Sequence, residues 1–160
     1  MGVKFRKGSW IIVPLLILSF FSSSGVSAAT PGLYVSVYDN FGYNESPPLP
    51  DTSGRPLLGT VIEPDANYDF DSNPLFGLYE DFIVKFEGHI TSPITGNIRF
   101  LPSADDGTKL FIGGNLVDDN WYDKGCCGSP TQLVPFIAGQ SQPFTMWFYE
   151  NGGGAWVELY

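Results

Sequence analysis

Nineteen glycines and thirteen prolines cut this 160-residue sequence into pieces too short for regular helices. Between the breaks apolar residues alternate instead of recurring every third or fourth position, which is the rhythm of half-buried strands. In "GLYVSVYDN", Leu33, Val35 and Val37 alternate with Tyr34, Ser36 and Tyr38. Phe82, Val84, Phe86, Gly88 and Ile90 do the same in "DFIVKFEGHI". "NIRFLPS", "TKLFIGG", "LVDD", "QLVPFIAG", "PFTMWFYEN" and "AWVELY" continue the series. "IGGNLV" supplies a glycine turn for a tight hairpin between Ile112 and Leu116. So many short strands predict an all-β fold, an antiparallel sandwich or barrel. Residues 41–56 and 121–132 are turn-rich and predict two long surface loops.

The first residues read as a targeting segment. Lys4, Arg6 and Lys7 precede an apolar run from Trp10 to Phe21, then "SSSGVSAAT" with small residues at Val26 and Ala28. That order fits a secretory signal peptide over residues 1–28, leaving one domain over 29–160. The run is short for a membrane span, and no later segment is apolar enough for one, so no membrane insertion is expected after cleavage. Loss of the three basic residues takes the net charge from −9 to −12. A chain this acidic repels phosphate backbones, which excludes nucleic acid and favours cations and neutral ligands.

Catalysis finds little support. His89 is the one histidine, at an alternating strand position, and no serine or cysteine motif points to it. Two adjacent cysteines and one distant histidine do not make a zinc site. The expectation is a protein that is not an enzyme. Cys126 and Cys127 are the only cysteines, and oxidation leaves them a ring between neighbours or a bond to another molecule. Gly125 and Gly128 free the backbone for such a ring, so we expect a vicinal disulfide beside Trp121 and Tyr122, with unreacted thiols as the alternative.

Three groups of acids compete for a cation. "DANYDFDSN" spaces Asp65, Asn67, Asp69, Asp71 and Asn73 like an EF-hand loop, but Phe70 and Phe76 occupy the places that need glycine and a bidentate acid. That run reads as the wet face of an extended segment. Asp118-Asp119 reads as a hairpin end, with Asn120 capping a turn. Asp105-Asp106 differs, because "NIRFLPS" delivers the pair to a loop end and Gly107 allows a sharp turn after it. Neighbouring carboxylates repel unless a cation or donors lie between them. The loop "ENGGGAW" offers Glu150, Asn151 and three glycines whose carbonyls suit calcium. Asn44-Glu45-Ser46 also fits a glycosylation acceptor.

At these residues the chain resembles a known family. "SADDGTKLFIGGNLVDDNW" and "FYENGGGAWVELY" are similar, in the same order, to the signatures of the PA-14 domain, the module named after anthrax protective antigen. The resemblance spans about residues 30–160 and implies a jelly-roll-type antiparallel β-sandwich. The chain resembles the carbohydrate-binding domain of yeast flocculins and related adhesins. By that resemblance Asp105 and Asp106 are calcium ligands joined by a cis peptide, Asn151 matches a further ligand, and the ion takes sugar hydroxyls. The implied function is a secreted or cell-surface, calcium-dependent lectin or adhesin-like module whose partner is a glycan. Trp121 and Tyr122 either stack on the sugar or cover the sandwich end. The alternative is a non-catalytic structural or protein-interaction sandwich.

Overall fold

A computed structural model describes residues 32–43, 50 and 52–160. The expected signal peptide and the Asn44 acceptor lie outside these residues. Among the described residues eleven strands form three antiparallel sheets: β1 Leu33–Asp39, β2 Leu57–Glu63, β3 Tyr68–Asp69, β4 Phe82–Thr91, β5 Gly96–Ile98, β6 Pro102–Asp105, β7 Gly107–Ile112, β8 Asn115–Asn120, β9 Val134–Phe136, β10 Ser141–Glu150 and β11 Trp156–Leu159. The large sheet runs β2-β1-β4-β10-β7-β8, and the small ones β3-β11-β6 and β5-β9. Among the described residues the only helical piece is a 3-10 turn at Leu75–Gly77. None of their helices is long and apolar enough to cross a membrane.

The alternation read from the sequence becomes the core. Val35, Val37, Val84, Phe86, Leu110, Met146 and Phe148 face inward from the large sheet, and Phe70, Ala104 and Val157 meet them from the other layer. Phe70 stacks on Phe148 with ring centroids 5.3 Å apart, and tilts against Phe82 at 5.0 Å. A smaller apolar cluster of Ile83, Trp121 and Tyr149 packs separately from this core. The fold is therefore an antiparallel β-sandwich. At the β7–β8 hairpin, Gly113 and Gly114 both take positive φ, the turn geometry that only glycine adopts without strain.

Two expectations need correction. "NIRFLPS" is not one strand: the chain breaks at residues 99–101, so β5 pairs with β9 while β6 pairs with β11. And "LLGTVIE", which the sequence reading passed over, forms β2 at the edge of the large sheet. Leu57, Leu58 and Ile62 are exposed there, so no clean in-out alternation marks the strand.

Candidate functional site

β6 ends at Asp105 in the small sheet and β7 begins at Gly107 in the large one, so Asp106 alone forms the corner between two sheets. This is not the loop end expected. The Asp105–Asp106 peptide bond is cis. Gly107 is required for room and not for a turn, because the Tyr149 ring fills the position a Cβ would take. Tyr149 is also paired to Gly107 across the β7–β10 ladder. That ladder carries Glu150, at the end of β10, up to the corner.

Here the carboxylates converge. Asp105, Asp106 and Glu150 each offer an oxygen within 4.8 Å of the others. Asp106 is held by donors: the Lys124 N–H reaches Oδ1 at 2.8 Å and the Asn151 N–H reaches Oδ2 at 2.9 Å. Glu150 has no such help. It is fully buried, and no donor reaches either carboxylate oxygen with good hydrogen-bond geometry, the Gly152 backbone N–H being only a weak, poorly aligned neighbour. Burial first, then the charges of Asp106 and Asp105, push its carboxyl up to about 9, with the Gly152 N–H pulling the other way. Burial also raises Asp105, with the Asp106 and Asp71 charges adding to it and Lys124 opposing.

Lys124 was not singled out by sequence reasoning, and it is the local counter-charge. Its ammonium donates to Ala104 O at 2.7 Å and to Asp106 O, while burial lowers its pKa against the pull of Asp106 and Asp105. With all three carboxylates ionised, as a bound cation would favour, and Lys124 charged, the corner carries two negative charges. Carboxylate oxygens lie 2.3–2.6 Å from a bound calcium ion, so ligands on opposite sides of it stand about 5 Å apart. The three-carboxylate cluster fits that chemistry. Its one orphaned acid is the kind of group a hard cation satisfies.

The other expected residues are placed as follows. Asn151 adjoins the corner through its backbone, while its side-chain amide leans toward Asp123 Oδ2 at 3.4 Å. Asp123 accepts from the Tyr149 hydroxyl at 2.7 Å. Trp121 is 9% exposed and packs on Tyr149 with ring centroids 4.6 Å apart. Tyr122 is 52% exposed. Cys126 and Cys127 are exposed, with their Sγ atoms against each other. Their loop is tied on one side by Lys124 to Asp106. On the other, Gly128 lies against Pro102 O with no space for a Cβ. Close approach to β6 explains that glycine better than backbone freedom does.

The two rival acid groups resolve differently. Asp118-Asp119 lies within β8, not at a hairpin end. Asp118 points inward, accepting from Asn120 Nδ2 at 2.8 Å and Thr108 Oγ1 at 3.3 Å, and burial pushes its carboxyl up to about 6. Asp119 points outward to Lys109 Nζ at 3.0 Å. In the EF-hand-like run the acids serve turns: Asp65 accepts from Asn67 N at 2.9 Å, and Asp69 from Ser72 N at 3.0 Å. Asp71 is the exception. Its Oδ2 accepts from Ala155 N at 3.2 Å. A Cβ on Gly154 would stand 3.7 Å from that oxygen and 3.1 Å from Asp105 Oδ2. The chain fold brings this acid to the corner's rim, which spacing along the sequence could not reveal.

Comparison with known proteins gives a family. The family model described as the PA14 domain matches residues 30–144. No curated protein matches. Among solved structures, an anti-sigma factor domain-containing protein from Clostridium clariflavum shares 21% identity at a TM-score of 0.65, covering 80% of this chain and 40% of its own. A "PA14 sugar-binding domain from RTX adhesin" shares 18% identity at a TM-score of 0.65, covering 82% of this chain and 89% of its own. A subtype-switched epithelial adhesin A domain from Candida glabrata, in complex with beta-lactose, shares 12% identity at a TM-score of 0.61, covering 81% and 79%. The chain spans less than half the length of the first matched structures, 41% and 40%. At these identities the likeness speaks for the fold.

Proposed function

Because the chain belongs to the PA14 family, we propose that it is a non-catalytic carbohydrate-binding module in which calcium at the Asp105–Asp106 corner receives glycan hydroxyls. The observation that carries this reading is the orphaned, fully buried carboxylate of Glu150 facing the two aspartates. A buried acid kept charged without a partner is costly, and a divalent ion offsets that cost. The printed descriptions of the RTX adhesin domain and of the lactose-bound adhesin add weight to sugar as the ligand class.

Asp105, Asp106 and Glu150 would supply the charged oxygens, with Asn151 beside them. A calcium ion held there would supply a hard positive charge that attracts hydroxyl oxygens of the sugar. The protein's own part is to hold the oxygens in place. Lys124 N–H and Asn151 N–H fix both oxygens of Asp106, and the packed Tyr149 ring anchors the strand that carries Glu150. Tyr122 gives an exposed aromatic face in the loop after β8, and a vicinal disulfide between Cys126 and Cys127 shapes that loop. We place the protein outside the cell, exported by residues 1–28.

The test is a glycan array read in calcium and again in chelator. Calcium-dependent retention of at least one glycan class is expected, lost with Asp105→Asn. Equal retention in chelator removes the ion from the mechanism. No retention in either condition favours the structural or protein-interaction reading.

A further inference from the structure

A cleft of about 510 Å³ lies over the outer face of the β3-β11-β6 sheet, within the range of small-molecule sites. Its lining includes Trp156, Asn67, Asp69, Asp71, Ser72 and Glu158. Along β11, Val157 is fully buried in the core, so its neighbours Trp156 and Glu158 present their side chains to the opposite, outer face. The ladder puts Trp156 opposite both Asp69 and Asp105, which makes one row of side chains across the sheet. That row ends at the cation corner. Asp71, whose Oδ2 sits with Asp105 Oδ2 around Gly154, bridges the cleft and the corner.

We propose that this cleft is a second saccharide subsite, taking sugars without negative charge and binding amino sugars more tightly than neutral ones. The proposal rests on the reading of the chain as a glycan-binding module and extends it to a neighbouring sugar unit of the same chain. An indole offers a flat apolar surface to the C–H face of a pyranose. Around it, polar groups remain to serve hydroxyls. The Trp156 indole N–H and the Asn67 amide N–H groups have no acceptor among the described residues, while Asn67 Oδ1 is taken by Leu159 N at 2.7 Å. Ser72 contributes a hydroxyl that bonds Asp69 Oδ2 at 2.7 Å. The carboxylates of Asp69, Asp71 and Glu158 set the charge preference: they attract an ammonium and repel a uronate. An ammonium near the indole face gains a cation–π contact as well.

The experiment follows the Trp156 indole resonance, assigned through Trp156→Phe, in NMR titrations of the protein. The probes are β-1,4-linked tetramers of glucosamine, of N-acetylglucosamine, and a tetramer of galacturonate, first in chelator and then in calcium. The glucosamine tetramer should shift the resonance at the lowest concentration, the N-acetylated one at higher concentration, and galacturonate not at all. Trp156→Ala, which lacks the indole and is followed by calorimetry beside the wild type, should weaken glucosamine-tetramer binding about tenfold. Glu158→Lys, a change on the outer face that leaves the core intact, should bring galacturonate in and weaken the glucosamine tetramer. A Trp156 resonance unmoved by every probe, or moved as readily by galacturonate, overturns the subsite. The chelator arm separates the two readings. A silent Trp156 together with calcium-dependent glycan retention removes the subsite and leaves the corner. A responding Trp156 with no calcium effect does the reverse.

Discussion

Asp105-Asp106, at the β6–β7 corner between two sheets, and Asp118-Asp119, within β8, are the same dipeptide, and the backbone makes them into different devices. In β8 the pair obeys strand alternation: Asp118 goes in to Thr108 and Asn120, Asp119 goes out to Lys109. Each charge is answered separately by a protein group. At the β6–β7 corner the alternation is broken by a change of sheet, and both carboxylates meet Glu150. There the donors satisfy Asp106 only, and Glu150 stays unanswered. The proposed cation site therefore asks more than a pair of acids: the chain leaves the pleat there and brings the pair together with a third.

The largest expected effect separates the two pairs by calcium. At an ion concentration one hundredfold above Kd, the wild type should gain about 2.7 kcal/mol in chemical denaturation. Asp105→Asn and Asp106→Asn should each abolish that gain, because a neutral amide replaces a charged ligand. Asp118→Asn and Asp119→Ala should keep it whole. If all four variants respond to calcium alike, the distinction between the pairs is wrong.

The next effect concerns proton linkage at the inward aspartate. Burial raises Asp118 from 3.8 to about 6 in the folded chain. Its contribution is thus complete below about pH 4 and is lost as pH rises through about 6. Asp118→Asn should match the wild type near pH 4 and exceed it by up to about 3 kcal/mol at pH 8. Parallel stability curves for the two proteins would show that Thr108 and Asn120 fully offset the burial.

The smallest effect belongs to the outward aspartate. Asp119 and Lys109 form an ion pair on a half-exposed surface, and such pairs contribute about 0–1 kcal/mol. Asp119→Ala should lower stability by no more than that, and the difference should fade in 1 M salt. A larger, salt-insensitive loss would mean that Asp119 does more than pair with Lys109.

Much of this was legible in the sequence where the signal is local. Alternation found β1, β4, β7 and β10, and Gly113-Gly114 named its own hairpin. It failed at β2, whose exposed Leu57, Leu58 and Ile62 blur the two faces of an edge strand. It failed again where Arg99 to Leu101 break one apparent strand between two sheets. The aspartate corner was visible because both residues are adjacent in the chain. Glu150 could be offered but not distinguished from Asn151, since its burial follows from packing against β4 and β7. Lys124 and Asp71 were invisible for the same reason. They reach the corner through a loop and a turn, and no periodicity marks either.

The most direct test is a crystal structure of the protein grown with calcium. The account predicts one ion at the β6–β7 corner, with oxygens of Asp105, Asp106 and Glu150 all about 2.3–2.6 Å from it. An ion elsewhere, or Glu150 turned from the corner and hydrogen-bonded as a neutral acid, would contradict it.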